Sequence, residues 1–200
     1  MKSIVLILLF LYSFLSFSQK DSSAYFRKEE IIYDGKLYRK HNNYLTFGPG
    51  YSSSTIRSDL QKDIGIDFNF HVRRIYFQTG VNMSGNQFLS NNNVNIVLGI
   101  GLRKENYKNN FAIYAGPTYY TGVIGIEDSL GIRPQFYSGI GVYIAAQAII
   151  KLTYDIGFGI QPYATLNTKQ TQAGIKAILF FSGAYRGPKR NYNPNVRIHK

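Results

Sequence analysis

Residues 64–72, which read Ile-Gly-Ile-Asp-Phe-Asn-Phe-His-Val, constrain the fold of this chain more than any other stretch. Ile64, Ile66, Phe68, Phe70 and Val72 share one parity, and Gly65, Asp67, Asn69 and His71 share the other. A period of two means an extended strand with unlike faces. Here one face is a row of bulky apolar groups, and the other carries a carboxylate, an amide and an imidazole. In a soluble sheet the apolar face turns to a core and the polar face to water. In a transmembrane barrel the apolar face turns to lipid and the polar face lines the lumen.

The same alternation recurs along the chain. It predicts eight strands, over residues 44–51, 60–72, 75–83, 94–103, 111–120, 135–150, 152–161 and 171–182. Between the second and third, the apolar parity switches from even (Val72) to odd (Ile75) across Arg73-Arg74. A two-residue hairpin loop requires that switch, because paired residues on either side must share a face. The apolar row includes Ile66, Phe68, Phe70, Ile96, Leu98, Ile156 and Phe158. The opposite face combines glycines with Asp67, Asn69, His71, Arg103, Asp155 and Lys176. Tyr44, Tyr51, Tyr119, Tyr120, Tyr137 and Tyr163 fall near strand ends, which fits an interfacial aromatic girdle, although loop packing would also place tyrosines there.

The ends of the chain read differently. Lys2, the apolar run 4–11 and the small residues around Ser16 and Ser18 have the order of a secretory signal, so residues 1–18 are expected to be cleaved. Residues 19–42 are mixed in charge and weakly patterned, a periplasmic leader. Residues 184–200 hold five basic and no acidic residues, a flexible basic tail, in a chain of net charge +12. There is no cysteine, which excludes disulfides and thiol chemistry. Beyond the signal, no apolar run approaches the length of a helical span.

Strand length and loop asymmetry favour the membrane alternative. The strands run about nine to fifteen residues where a tilted transmembrane strand needs about 9–11 and a globular one about 5–6. Connections after strands one, three, five and seven are long, with 121–134 the longest, and those after two and six are very short. The expected fold is therefore an all-β, eight-stranded antiparallel up-and-down transmembrane barrel over residues 43–183, with long loops on one rim and mostly short turns on the other. A soluble exported lipocalin-like barrel, which would turn its apolar face inward around a ligand, is the alternative.

With these strands, the signal and the glycine-rich inner face, residues 44–182 resemble the small outer membrane β-barrel family of Gram-negative bacteria. Gln172, Gly174, Ala177, Leu179 and Phe181 are similar to the family's C-terminal assembly signal, although the chain continues past it to Lys200. The resemblance implies outer membrane localisation, contact with outer membrane lipid and handling by the barrel-insertion machinery.

Catalytic and metal motifs are not found. His41, His71 and His199 are not spaced as ligands, so no metal or cofactor is expected. Asp67 and Asp155 might form a carboxylate pair, but ion pairing in the lumen with Arg103, Lys151 or Lys176 is the simpler reading. No G-x-S-x-G elbow occurs. Gly99-Ile-Gly101, Gly139-Ile-Gly141 and Gly157-Phe-Gly159 repeat as inward glycines that make room for neighbours, and not as dinucleotide fingerprints. Export argues against nucleic acid as the partner of the basic tail; an acidic periplasmic partner or an anionic lipid surface fits better, and plain disorder is the simplest reading. The expected role is structural, adhesive or accessory, and not enzymatic, with a lumen largely filled by side chains. A lipid-modifying enzyme acting at the rim is the weaker alternative.

Overall fold

The computed structural model describes residues 30–33, 35–39, 42–56, 59–72, 75–86, 93–128 and 131–188, with only the backbone described at 30, 31, 33, 124–128, 131–134, 187 and 188. Eight strands form a closed antiparallel barrel: β3 (Tyr44–Ser54), β4 (Gln61–Val72), β5 (Ile75–Gly85), β6 (Asn93–Glu105), β7 (Asn109–Asp128), β8 (Gly131–Lys151), β9 (Ile156–Asn167) and β10 (Thr171–Ser182), with β10 closing on β3. Each strand pairs with its sequence neighbour, the up-and-down order that local hairpins produce. Val72 pairs with Ile75 and Phe68 with Thr79, the register expected of a two-residue hairpin. Arg73 and Arg74 themselves lie outside the described residues.

Alternation is carried through to burial. Along β10, Gln172, Lys176, Ile178 and Phe180 are buried while Ile175, Leu179 and Phe181 face outward. The outward row contains Ile66, Phe68, Ile96, Leu98, Ile156 and Phe158, all about half exposed, with Phe70 half-buried and stacked against both Phe68 and Phe77. An apolar exterior around a polar interior is the arrangement of a membrane barrel, and the reverse of what a lipocalin-like carrier needs.

Three sequence boundaries shift. Residues 152–155 form a turn and β9 starts at Ile156, so Leu152 and Asp155 leave the strand. Strand β9 also continues to Asn167, leaving only residues 168–170 as the connection to β10. The stretch 121–134, expected as a loop, is mostly strand: β7 and β8 continue as a ladder to Asp128 and Gly131.

Outside the barrel, β1 (Glu30–Tyr33), β2 (Lys36–Arg39) and β11 (Tyr185–Pro188) form a three-stranded sheet in the order β1-β2-β11. Gly35 turns the chain between β1 and β2 at φ +67°, a left-handed conformation in which a Cβ would be strained. The segments expected as a loose leader and a flexible tail thus pair with each other, at the rim where both chain ends emerge. Their alternation is too short for a periodicity argument to detect. Residues 1–29 and 189–200, including the expected signal and most of the basic tail, lie outside the described residues.

The barrel interior and the terminal rim as the candidate functional site

Inward side chains form three polar tiers. Next to the rim that carries the chain ends, Glu105 forms ion pairs with Arg103 at 2.9 Å and with Lys151. All three lie at or near strand ends, Arg103 and Glu105 on β6 and Lys151 at the last position of β8. The Arg103 guanidinium also donates to Asn110 Oδ1 at 2.6 Å and to the Asn42 carbonyl at 2.7 Å, and lies 4.4 Å from the Tyr44 ring centroid. Lys151 Nζ sits 3.9 Å from the centroid of Tyr154, whose hydroxyl pKa is pushed up by burial and by the neighbouring Glu105 charge.

In the middle tier Asp67 Oδ2 accepts from Lys176 Nζ at 3.1 Å and from Gln161 Nε2 at 3.0 Å, with all three side chains buried. Lys176 also donates to Asn82 Oδ1. Gln161 accepts from Gln147 at 3.1 Å, and Gln147 accepts from the Tyr44 hydroxyl at 2.7 Å, which links this tier to the one below. Gly65 and Gly80 make room for the pair. A Cβ at Gly65 would strike Asn82 Oδ1 and Lys176 Nζ, and one at Gly80 would strike Asp67 Oδ1.

Toward the opposite rim Asp63 accepts from Ser52 at 2.9 Å and from the Tyr163 hydroxyl. Gln172 donates to Ser52 and Ser84 and accepts from Asn95 at 2.9 Å. Buried charges are stable when paired and hydrogen-bonded; Asp67 and Glu105 are ion-paired, and Asp63 is held by the Ser52 and Tyr163 hydroxyls.

The candidate residues from sequence separate into groups. Asp67 and Lys176 meet, and Arg103 joins Glu105 and Lys151. Asn69 is buried beside Asp67 and donates to that residue's own backbone carbonyl at 3.3 Å. His71 lies half-buried at the terminal rim, tilted against Tyr76 at 5.9 Å.

Asp155 is not a lumen residue. In the turn before β9 its carboxylate accepts from Ser182 Oγ at 2.7 Å and from the backbone amides of Ala184 at 2.8 Å and Tyr185 at 3.2 Å. It therefore clasps the chain where it leaves β10 for β11. Tyr38 of β2 completes the clasp, stacked on Tyr154 at 4.7 Å, while the Arg39 amide donates to the Ala184 carbonyl at 2.8 Å. The girdle assignment also needs correction: Tyr51 and Tyr119 face outward, but Tyr44, Tyr120 and Tyr163 are buried inside. Glu105 and Asp63 were missed in the sequence, although Glu105 shares the parity of Arg103 two residues on, and Asp63 that of Asp67 four residues on.

Charge divides between the rims. Among the described side chains, Lys62 and Lys169 lie with Asp59 and Asp63 toward the opposite rim, and in mid-barrel Lys176 balances Asp67. Among the described side chains at the terminal rim, Lys36, Arg39, Arg103, Lys104, Lys108, Lys151 and Arg186 outnumber Glu105 and Asp155.

No protein-family model matches the chain, and no curated protein matches it in sequence. Solved structures do match. The crystal structure of Neisserial surface protein A (NspA) aligns with a TM-score of 0.56 at 10% identity, covering 70% of this chain and 96% of that one. The fold is that of an eight-stranded outer membrane β-barrel. Ail, the attachment invasion locus protein of Yersinia pestis, aligns over 72% of this chain and 98% of its own at 6% identity, with a TM-score of 0.48. At such identities the likeness concerns the fold alone.

Proposed function

We propose that the protein is exported, resides in the outer membrane of a Gram-negative bacterium, and serves there as a structural or adhesive scaffold with no catalytic task. Its lumen is filled by the three polar tiers, so it does not pass solutes. Eight strands leave an interior that side chains can occupy, and Asp67, Gln161, Lys176, Tyr143 and Phe180 are each at most 1% exposed within it. The observation that carries the scaffold reading is the β7–β8 hairpin. Its last rung on β6 is Gly122 and its last on β9 is Gly141, yet six further pairs, from Val123↔Phe136 to Asp128↔Gly131, extend beyond Gly122. At about 3.3 Å per residue this is a projection of ~20 Å. Phe136, on the projecting section, is 78% exposed.

An epitope inserted between residues 128 and 131 tests this reading. Intact cells expressing the variant are expected to bind an antibody to that epitope, and cells carrying the same epitope after Lys200 are expected to bind only once permeabilised. Labelling of the C-terminal epitope alone on intact cells would overturn the orientation, and labelling of neither would overturn surface display.

A further inference from the structure

The outer wall of the barrel is not uniformly full. Between β6 and β9, near the terminal rim, it is indented by a trough of about 420 Å³ lined by Leu102, Phe111, Ile113, Ala146, Ala148 and Ile160. The cause lies in the sequence. Along the outward row of β8, Ile140, Val142 and Ile144 give way to Ala146 and Ala148 before Ile150 restores the bulk. Ala148 pairs with Phe111 on one side and Ile160 on the other, so two small residues form the floor and larger ones the sides. The volume falls within the range of small-ligand sites, about 300–1,000 Å³.

The rim end of the trough is charged. Ile96, Leu98, Ile100 and Leu102 make up the outward row of β6, and the next outward residue is Lys104, exposed and also lining the trough. Lys104 pairs across the sheet with Phe111, and Lys108 stands exposed in the adjoining turn, 5.6 Å from the Tyr107 ring centroid. A lysine at the edge of an apolar belt extends its stem along the apolar surface and holds its ammonium among the headgroups. A second depression in the wall, about 320 Å³ between Leu45, Phe68, Val81 and Ile96, has no charged residue in its lining.

We infer that this trough binds one anionic glycerophospholipid from the leaflet at the terminal rim, with an acyl chain lying over Ala146 and Ala148 and the phosphate against the Lys104 ammonium. Apolar depth alone would select any acyl chain. The cation at the mouth selects the headgroup, and the exposed Lys108 in the adjoining turn raises the local concentration of anionic lipid. A Lys or Arg facing an anionic surface contributes about 1 kcal/mol, or about fivefold in affinity. The inference rests on the membrane reading given above.

The test is lipid titration of the full mature barrel, folded in zwitterionic detergent and followed by native mass spectrometry. The probes are phosphatidylglycerol and phosphatidylcholine of identical acyl composition. Wild type is expected to retain one phosphatidylglycerol with about fivefold preference over phosphatidylcholine. Lys104→Gln is expected to abolish the preference while leaving weak binding of both lipids. Ala146→Leu with Ala148→Leu, apolar substitutions on an apolar face, is expected to remove retention of both. Lys62→Gln at the opposite rim is expected to behave as wild type. No preference in wild type, or a preference that survives in Lys104→Gln or in the filled-trough variant, would overturn the inference. Heat-modifiability of each variant on a gel separates this failure from that of the membrane reading: a folded barrel without lipid selectivity contradicts the trough alone, whereas a chain that never folds in detergent or lipid contradicts the membrane reading.

Discussion

Lys176 and Asp67 depend on each other, because both are buried and each neutralises the other. Removing one member leaves an uncompensated charge, so Lys176→Met is expected to destabilise the folded barrel by about 3–5 kcal/mol in urea titration. Combining it with Asp67→Leu is expected to restore much of the loss; a double variant as unstable as the single would assign the cost to packing. Asp155 acts elsewhere. Asp155→Ala removes the acceptor for Ser182, Ala184 and Tyr185. Faster amide exchange is expected in residues 36–39 and 185–188, with exchange in β3–β10 unchanged. The sequence made Asp67 and Lys176 legible because a mid-strand residue inherits its face from a long alternation. Asp155 was misassigned because it precedes the first residue of β9, where parity no longer dictates direction. Tyr44, Tyr120 and Tyr163 were misread for a related reason: proximity to a strand end suggests an interface, but parity turns these rings inward.

Among the elements, the eight barrel strands could be read directly, since each spans enough residues for a period of two to stand out. The β7–β8 projection could not. Its glycines Gly125 and Gly131, the acidic pair Glu127-Asp128 and Pro134 match a loop in the sequence. The sheet β1-β2-β11 escaped notice because four-residue strands carry little periodicity and its third strand comes from the other end of the chain. Beyond Gly122 and Gly141 the projecting arms pair only with each other. Replacing residues 125–134 by a two-residue Asn-Gly turn is therefore expected to leave the urea midpoint and the heat-modifiable gel shift unchanged. A large loss of stability would mean that the projection supports the barrel.

For the molecule as a whole, the closed sheet leaves no unpaired edge within the barrel, the outward rows of its strands are apolar, and the ion pairs of Asp67 and Glu105 lie inside. Such a body is at odds with water around its waist. A charge placed there costs about 2–4 kcal/mol at the bilayer midplane, so Leu98→Arg, on the outward face of β6, is expected to reduce insertion sharply while the inward-facing network keeps its residues. The most direct measurement is made on the wild-type protein: fractionate cells, then run the outer membrane fraction on a denaturing gel with and without boiling. Recovery with the outer membranes and a shift in migration between the unheated and boiled samples are the expected result. A protein recovered monodisperse in detergent-free buffer, at one gel position before and after boiling, would contradict a lipid-embedded barrel.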